Sequence, residues 1–351
     1  MREESTAVTQ NVAGPLSFTN VGRDRWYKRG AFTSQTAYVA IAFVAITVLV
    51  SIFAHNFLST GNLLNTSKNF SYIAIVALGS TLVIITGGID LSVGSVMALV
   101  AVLTAMLMKT FSATPLAGIP YAVMIASVIC GLGAAAVAGL INGLLISKIR
   151  LSPFVTTLGM LSICRGVTYV ITQGRGQAPT GPQVDTFYAL TDGKLFGLPV
   201  PLVYLLVFAV IMGVALRHTR WGRYVFVLGG NEKAARLTGA PVDRIKISVY
   251  VLCALSAGFA GILITGWLGS APANLATGYE LKIIAASVIG GADLAGGVGG
   301  PVGAIIGSAL IEVIRNGLAL FGADTYWEQV FVGTIIILAV LVDRIRTLEP
   351  E

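Results

Sequence analysis

The chain of 351 residues is 55% hydrophobic and 11% charged, with a mean hydropathy of +0.84, whereas soluble domains average about 25% charged. That balance excludes a water-soluble protein, and the net charge of +7 points to loops that obey the positive-inside rule and not to a nucleic-acid partner. Ten helices of roughly 20 residues would use about 200 of the chain, which excludes a large soluble domain beside them.

Residues 1–35 are polar, carry five basic residues together with Pro15 and Gly22, and are too long and too charged for a signal-peptide n-region. They form a predicted cytoplasmic tail, followed by a transmembrane domain over 36–343 and a second cytoplasmic tail over 344–351. Apolar windows predict all-α spans at 37–57, 71–87, 93–108, 120–146, 153–171, 198–216, 247–268, 283–297, 301–321 and 327–342. The least regular are 283–297, short and glycine-rich, and 93–108, which follows its predecessor after only Gly88-Ile89-Asp90-Leu91. With the N-terminus in the cytoplasm, sixteen basic residues fall inside and five outside, while Arg165 and Arg315 lie within spans. Ten spans with both termini inside satisfy the charge rule.

Within the spans, Gly131, Ala135, Gly139 and Gly143 put a small residue at every fourth position of the fourth helix, a pattern for close helix packing. Asn142 beside it bonds either a neighbouring helix or a hydroxylated solute. Cys130, Cys164 and Cys253 follow no metal or redox spacing and read as packing residues. Intramembrane charges cost about 2.5–3.5 kcal/mol each on insertion scales, so each needs a partner, water or a role. Glu312 and Arg315, at i and i+3, can neutralise each other on one helix face or take part in gating. Arg165 has no local carboxylate and must pair across helices, bind a carbonyl or face a water-filled path.

Two segments echo each other 203 residues apart: Gly87-Gly88-Ile89-Asp90-Leu91 and Gly290-Gly291-Ala292-Asp293-Leu294. Glycine-interrupted apolar segments in corresponding halves point to internal repeats and broken helices near a transport route, and a break is expected at 290–307. Six predicted spans separate the echoes, which implies equal orientation and conflicts with an inverted repeat. Asp90, Asn142, Asp293 and Asn316 are the candidate polar residues of the translocation path.

The longest outer loop, 172–197, reads either as a solvated connector or as a contact for an outside partner. The longest cytoplasmic loop, 217–246, carries the densest basic run and is the expected docking surface. Asn231 can cap and Gly239 can end a short helix over Glu232–Thr238, with Ala234 and Ala235 as its slim contact side. Gly193-Lys194 is followed by Leu195 and lacks P-loop spacing, so this chain has no phosphate cradle of that type for ATP. With His55 and His218 as the only histidines, zinc sites and histidine relays have almost no raw material, and no metal, catalytic residue or cofactor is expected.

The run Thr219-Arg220-Trp221-Gly222-Arg223-Tyr224, then Gly229-Gly230-Asn231-Glu232-Lys233-Ala234-Ala235-Arg236-Leu237-Thr238-Gly239, together with Gly87–Ser95 and Gly290–Leu294, resembles bacterial ABC sugar-import permeases of the ribose, xylose, arabinose and galactose type. The resemblance covers roughly residues 37–342 and implies a permease fold similar to the cobalamin type. It also implies a homodimer in the inner membrane, a periplasmic sugar-binding protein, and partner ATPase subunits that use ATP-Mg. Gly230, Asn231, Glu232, Lys233, Ala234, Ala235, Arg236 and Gly239 would then form the ATPase-coupling loop. The wider permease pattern Glu-Ala-Ala-x3-Gly appears as Lys233-Ala234-Ala235-x3-Gly239, with Glu232 one position early. The competing class is a stand-alone ion-coupled secondary carrier, for which Asp90, Asp293 and Glu312 are the relay candidates.

Overall fold

A computed structural model describes residues 34–324 and, beyond them, helical positions between 327 and 337. The predicted tail segments 1–33 and 344–351 and most of the predicted span 327–342 lie outside the described residues. In chain order the helices are α1 (Ser34–Phe53), α2 (Thr60–Ile85), α3 (Val93–Ser112), α4 (Ala122–Ser147), α5 (Pro153–Thr172), α6 (Val184–Asp192), α7 (Val200–His218), α8 (Arg220–Gly230), α9 (Glu232–Leu237), α10 (Val242–Leu268), α11 (Tyr279–Ile289) and α12 (Pro301–Leu320). A two-stranded antiparallel hairpin, β1 (Lys194–Leu195) and β2 (Leu198–Pro199), precedes α7. Among the described residues, eight helices are long and apolar enough to cross a membrane: α1–α5, α7, α10 and α12.

α2 and α10 form the centre. Most of α2 from Ser71 to Ile85 is buried, and α10 packs against α2, α3 and α4. The small stripe on α4 makes this possible: a Cβ at Gly139 would sit 2.6 Å from the Tyr250 carbonyl oxygen, and one at Gly143 2.7 Å from the Ile247 Cα. The two backbones thus approach at distances that only glycine tolerates. The outward faces of α1, α4, α5 and α7 are apolar, with Ile41, Ile129, Val155 and Val210 exposed, as expected of helices that meet lipid. Cys164 and Cys253 are buried, but Cys130 is exposed on the outward face of α4 and is not packed inside this chain.

The span expected at 283–297 is not one continuous helix. α11 has 11 residues, which at 1.5 Å per residue is about 16 Å, half of a hydrocarbon core. Residues 290–300 are non-helical, so the expected break is present. Gly291, Gly296, Gly297 and Gly299 have positive φ there. The segment 269–278 leading into α11 is irregular too. The predicted span 71–87 begins earlier, at Thr60, because its polar first turns find partners: Lys68 pairs with Asp192 at 2.7 Å, and Asn62 and Asn316 exchange two amide hydrogen bonds of 2.9 Å. Loop 172–197 is more than a connector, since α6 buries Phe187 and Gln177 bridges Ala271.

The echoes run in the same direction. Asn62 meets Asn316 at one end of α2 and α12, while a Cβ on Gly299 would touch Ile85 at the other, so these helices are antiparallel. Gly290 abuts Gly303, and Gly307 abuts Ala286, so α11 and α12 are antiparallel as well. α2 and α11 are therefore parallel, and the equal orientation inferred from the span count holds.

Candidate functional site

At one end of the bundle, loop 217–246 is a built element. Thr219 caps α8 through a 3.0 Å bond from the Gly222 amide, and Trp221 Nε1 donates to Ser248 Oγ at 2.8 Å. Val225 and Leu228 are buried, so α8 is anchored along one face. Asn231 then caps α9 by accepting from the Ala234 amide at 3.0 Å, and Gly239 ends it at φ 77°.

The displaced acid, Glu232, bonds within its own chain. Lys246 Nζ donates to its Oε2 at 2.7 Å and Arg236 Nε to its Oε1 at 3.2 Å. Arg236 also reaches Asp243 at 3.0 Å, and Asp243 pairs with Lys148 at 3.2 Å. Burial pushes the Glu232 carboxyl up, but the bonds from Lys246 and Arg236 outweigh it and hold it below the usual carboxylate range. The network ties α9 to α10 and to the end of α4. Ala235 is 1% exposed and faces the chain's own interior, so the expected contact side built on Ala234 and Ala235 is half wrong. The side 100–160° round the helix from Ala235 faces out: Lys233, Ala234 and Leu237 are exposed, Leu237 at 89%. Leu237 went unnoticed in the sequence because an isolated leucine in a short polar run has no periodic signature.

The two Gly-Gly-x-Asp-Leu breaks meet. Ile84, Leu91, Ile284, Val288 and Ala292 form one buried cluster, with Ile89 and Leu294 against it. Gly87 at φ 74° and Gly291 at φ 97° turn the chain out of its helix in each echo. In each, the aspartate then closes a turn onto the amide two residues on: Asp90 Oδ1 accepts from Ser92 N, and Asp293 Oδ1 from Ala295 N, both at 2.8 Å.

Of the four path candidates, Asp90 and Asn142 are brought together through Ser92, whose hydroxyl donates to Asp90 at 2.6 Å and accepts from Asn142 Nδ2 at 3.1 Å. Both are buried, as is Tyr250; Asn142 Oδ1 and the Tyr250 hydroxyl make no hydrogen bond, and the Cys253 thiol lies beside Asp90. Asp293 and Asn316 bond elsewhere, to Ala295 and Asn62.

The intramembrane charges find partners. Glu312, 1% exposed, takes a bidentate pair from Arg315, with Nε to Oε2 at 2.8 Å. Arg165 binds carbonyls: its Nη1 donates to Leu275 at 2.8 Å and Ala273 at 3.2 Å. Irregular backbone at membrane depth must have its polar groups satisfied by protein, and Arg165, well inside α5, serves segment 269–278 in this way. That segment also reaches α3, since a Cβ on Gly94 would lie 2.6 Å from the Ala276 carbonyl oxygen.

Residues 62–340 match the family described as branched-chain amino acid transport system / permease component. The chain is 41% identical to the ribose import permease protein RbsC of Escherichia coli, over 94% of this chain and 99% of that protein. It is 38% identical to RbsC of Bacillus subtilis, over 85% and 89%. To the galactose/methyl galactoside import permease protein MglC of Haemophilus influenzae it is 36% identical, over 88% and 94%. No solved structure matches the chain significantly. Eight apolar helices long enough to cross a membrane among the described residues, and a family match across most of its length, make it a multi-pass membrane protein, and the chain belongs to the branched-chain amino acid transport system / permease component family.

Proposed function

We propose that this chain is the membrane permease subunit of a bacterial ABC importer for a monosaccharide, a ribose-like pentose first and a galactose-like hexose second. The observation that carries the reading is α9, a capped, outward-facing helix at one end of an apolar bundle, in a chain 41% identical to a ribose import permease. The loop bearing α9 lies in the cytoplasm with both termini, which satisfies the positive-inside rule. ATP-Mg is bound and hydrolysed by separate ATPase subunits that dock on α9, and a periplasmic sugar-binding protein delivers solute to the other end.

Two copies pair around the route in a cobalamin-type architecture. The dimer is supported by the outward face of α5, where Gly159 and Gly166 leave open space on either side of exposed Ser162. This subunit's work is conformational: ATP shifts its access equilibrium by the difference in affinity for the two states. Asp90 and Asn142 belong to the route as groups whose side-chain oxygens meet a hydroxylated solute when the breaks part. A stand-alone ion-coupled carrier is not favoured, because the ribose and galactose relatives named above carry import-permease names.

The test is isolation of the chain in mild detergent from its native membrane, then reconstitution with whatever co-purifies. A stoichiometric P-loop ATPase and ATP-dependent uptake of radiolabelled ribose or galactose are expected. Solute movement by this chain alone along an ion gradient would overturn the reading.

A further inference from the structure

The end of α8 touches both breaks through backbone atoms. Gly229 lies against the last residue of α2: a Cβ on it would overlap the Ile85 carbonyl oxygen and the Gly297 amide nitrogen. The Gly297 amide itself donates to the Ile85 carbonyl at 2.8 Å. A Cβ on Gly296 would lie 2.8 Å from the Gly229 carbonyl oxygen and 3.1 Å from the Gly87 amide nitrogen, and one on Gly297 3.3 Å from the Gly230 Cα. Three segments distant in sequence thus meet with no side chain between them. On the far side of this junction α9 begins after a single residue, Asn231.

We propose that Gly229 is a positioning residue for transport, the point at which displacement of the α8–α9 loop is passed to both Gly-Gly-x-Asp-Leu breaks at once. The inference rests on the permease reading above. Contact through backbone atoms leaves no rotamer to absorb a shift, and packed interiors transmit strain. α8 is held along its length by Val225 and Leu228 and by the Trp221–Ser248 bond, so it moves as a body. The glycines at this junction are required by close approach.

Gly133 supplies the control. It lies in α4, outside the coupling loop, and a Cβ there meets nothing within 4 Å. Gly229→Ala drives a methyl group between α8 and the breaks without touching the exposed face of Lys233, Ala234 and Leu237. Gly133→Ala changes the same residue type in open space.

The experiment is hydrogen exchange on the detergent-solubilised complex of this chain with its co-purified ATPase, with and without ATP-Mg. In the wild-type complex and in Gly133→Ala, ATP-Mg should change exchange over 225–237, 85–92 and 290–300 together. In Gly229→Ala the response at 225–237 should persist while that at both breaks falls at least fivefold. An undiminished response at the breaks in Gly229→Ala overturns the inference. Should that variant fail to fold, the wild-type result alone decides: a response at 225–237 without one at the breaks overturns it. Failure of the wild-type chain to retain any ATPase overturns the permease reading and the inference with it, and is told apart by being read before nucleotide is added.

Discussion

Replacing Arg165 with Met removes the donor that satisfies the Ala273 and Leu275 carbonyls and leaves both facing an apolar side chain. The bond to Leu275 at 2.8 Å is close to ideal, and that to Ala273 at 3.2 Å is the weaker branch from the same nitrogen. A hydrogen bond from a charged donor contributes about 1.5–3 kcal/mol, and orphaning a buried carbonyl costs a similar amount. Relief from burying the guanidinium offsets part of this, since Arg165 is half-buried. A net loss of about 2 kcal/mol in local stability of segment 269–278 follows, which is an increase of about 30-fold in the opening equilibrium. Hydrogen exchange of amides 270–278 in detergent micelles reads that opening directly. Arg165→Lys should recover about half of the protection, because an ammonium keeps the charge but loses the planar fork. Exchange in Arg165→Met within twofold of wild type would show that the segment is held by other contacts and refute the reasoning.

Glu312→Gln exchanges the charge-assisted pair with Arg315 for a neutral hydrogen bond and should cost about 1.5–3 kcal/mol; thermal unfolding in detergent reads the loss, and an unchanged midpoint would show that the pair does not hold α12. Leu237→Asp should weaken retention of the ATPase at least tenfold with no loss of thermal stability, since the side chain touches little of its own chain; equal retention in a pull-down would remove Leu237 from the docking face. Because the Glu232 carboxyl is held below the usual range, its contribution to the loop is complete above the ordinary glutamate value of about 4.3 and lost as pH falls through the lower folded value. Protection over 232–237, taken relative to the intrinsic exchange rate at each pH, should therefore stay flat from pH 7 to about pH 5 and fall only below about pH 4, and a fall starting near pH 6 would assign the holding role to another group.

Much of the bundle could be read from the chain. The ends of α5 and α7 fall within two residues of the expected positions, because helices facing lipid show an uninterrupted apolar run bounded by proline or basic residues. The sequence misjudged places where tertiary contacts override composition. The polar start of α2, with Asn62 and Lys68, looked like loop because its partners, Asn316 and Asp192, are remote in the chain. Residues 283–297 were drawn as one continuous helix because glycine counts as apolar in a hydropathy window while its backbone ends the helix. In loop 217–246, the Asn231 cap and the Gly239 stop were legible from side-chain chemistry, but the burial of Ala235 was not, since it depends on how α9 lies on α10. Arg165 could be seen to need a partner, yet carbonyl oxygens carry no residue signature and could not be named beforehand.

The parallel course of α2 and α11 bears on how the molecule can change the side to which it opens. In a carrier built from inverted halves, a two-fold axis in the membrane plane relates inside to outside, and the halves reach the opposite-facing state by trading conformations. The break-bearing helices here are related by no such axis: trading the conformations of the α2–α3 and α11–α12 units would return the chain to the same side. The direction of opening is therefore not encoded as a symmetry of these two units, and the bias must be imposed from one end, where an energy-consuming machine can grip it.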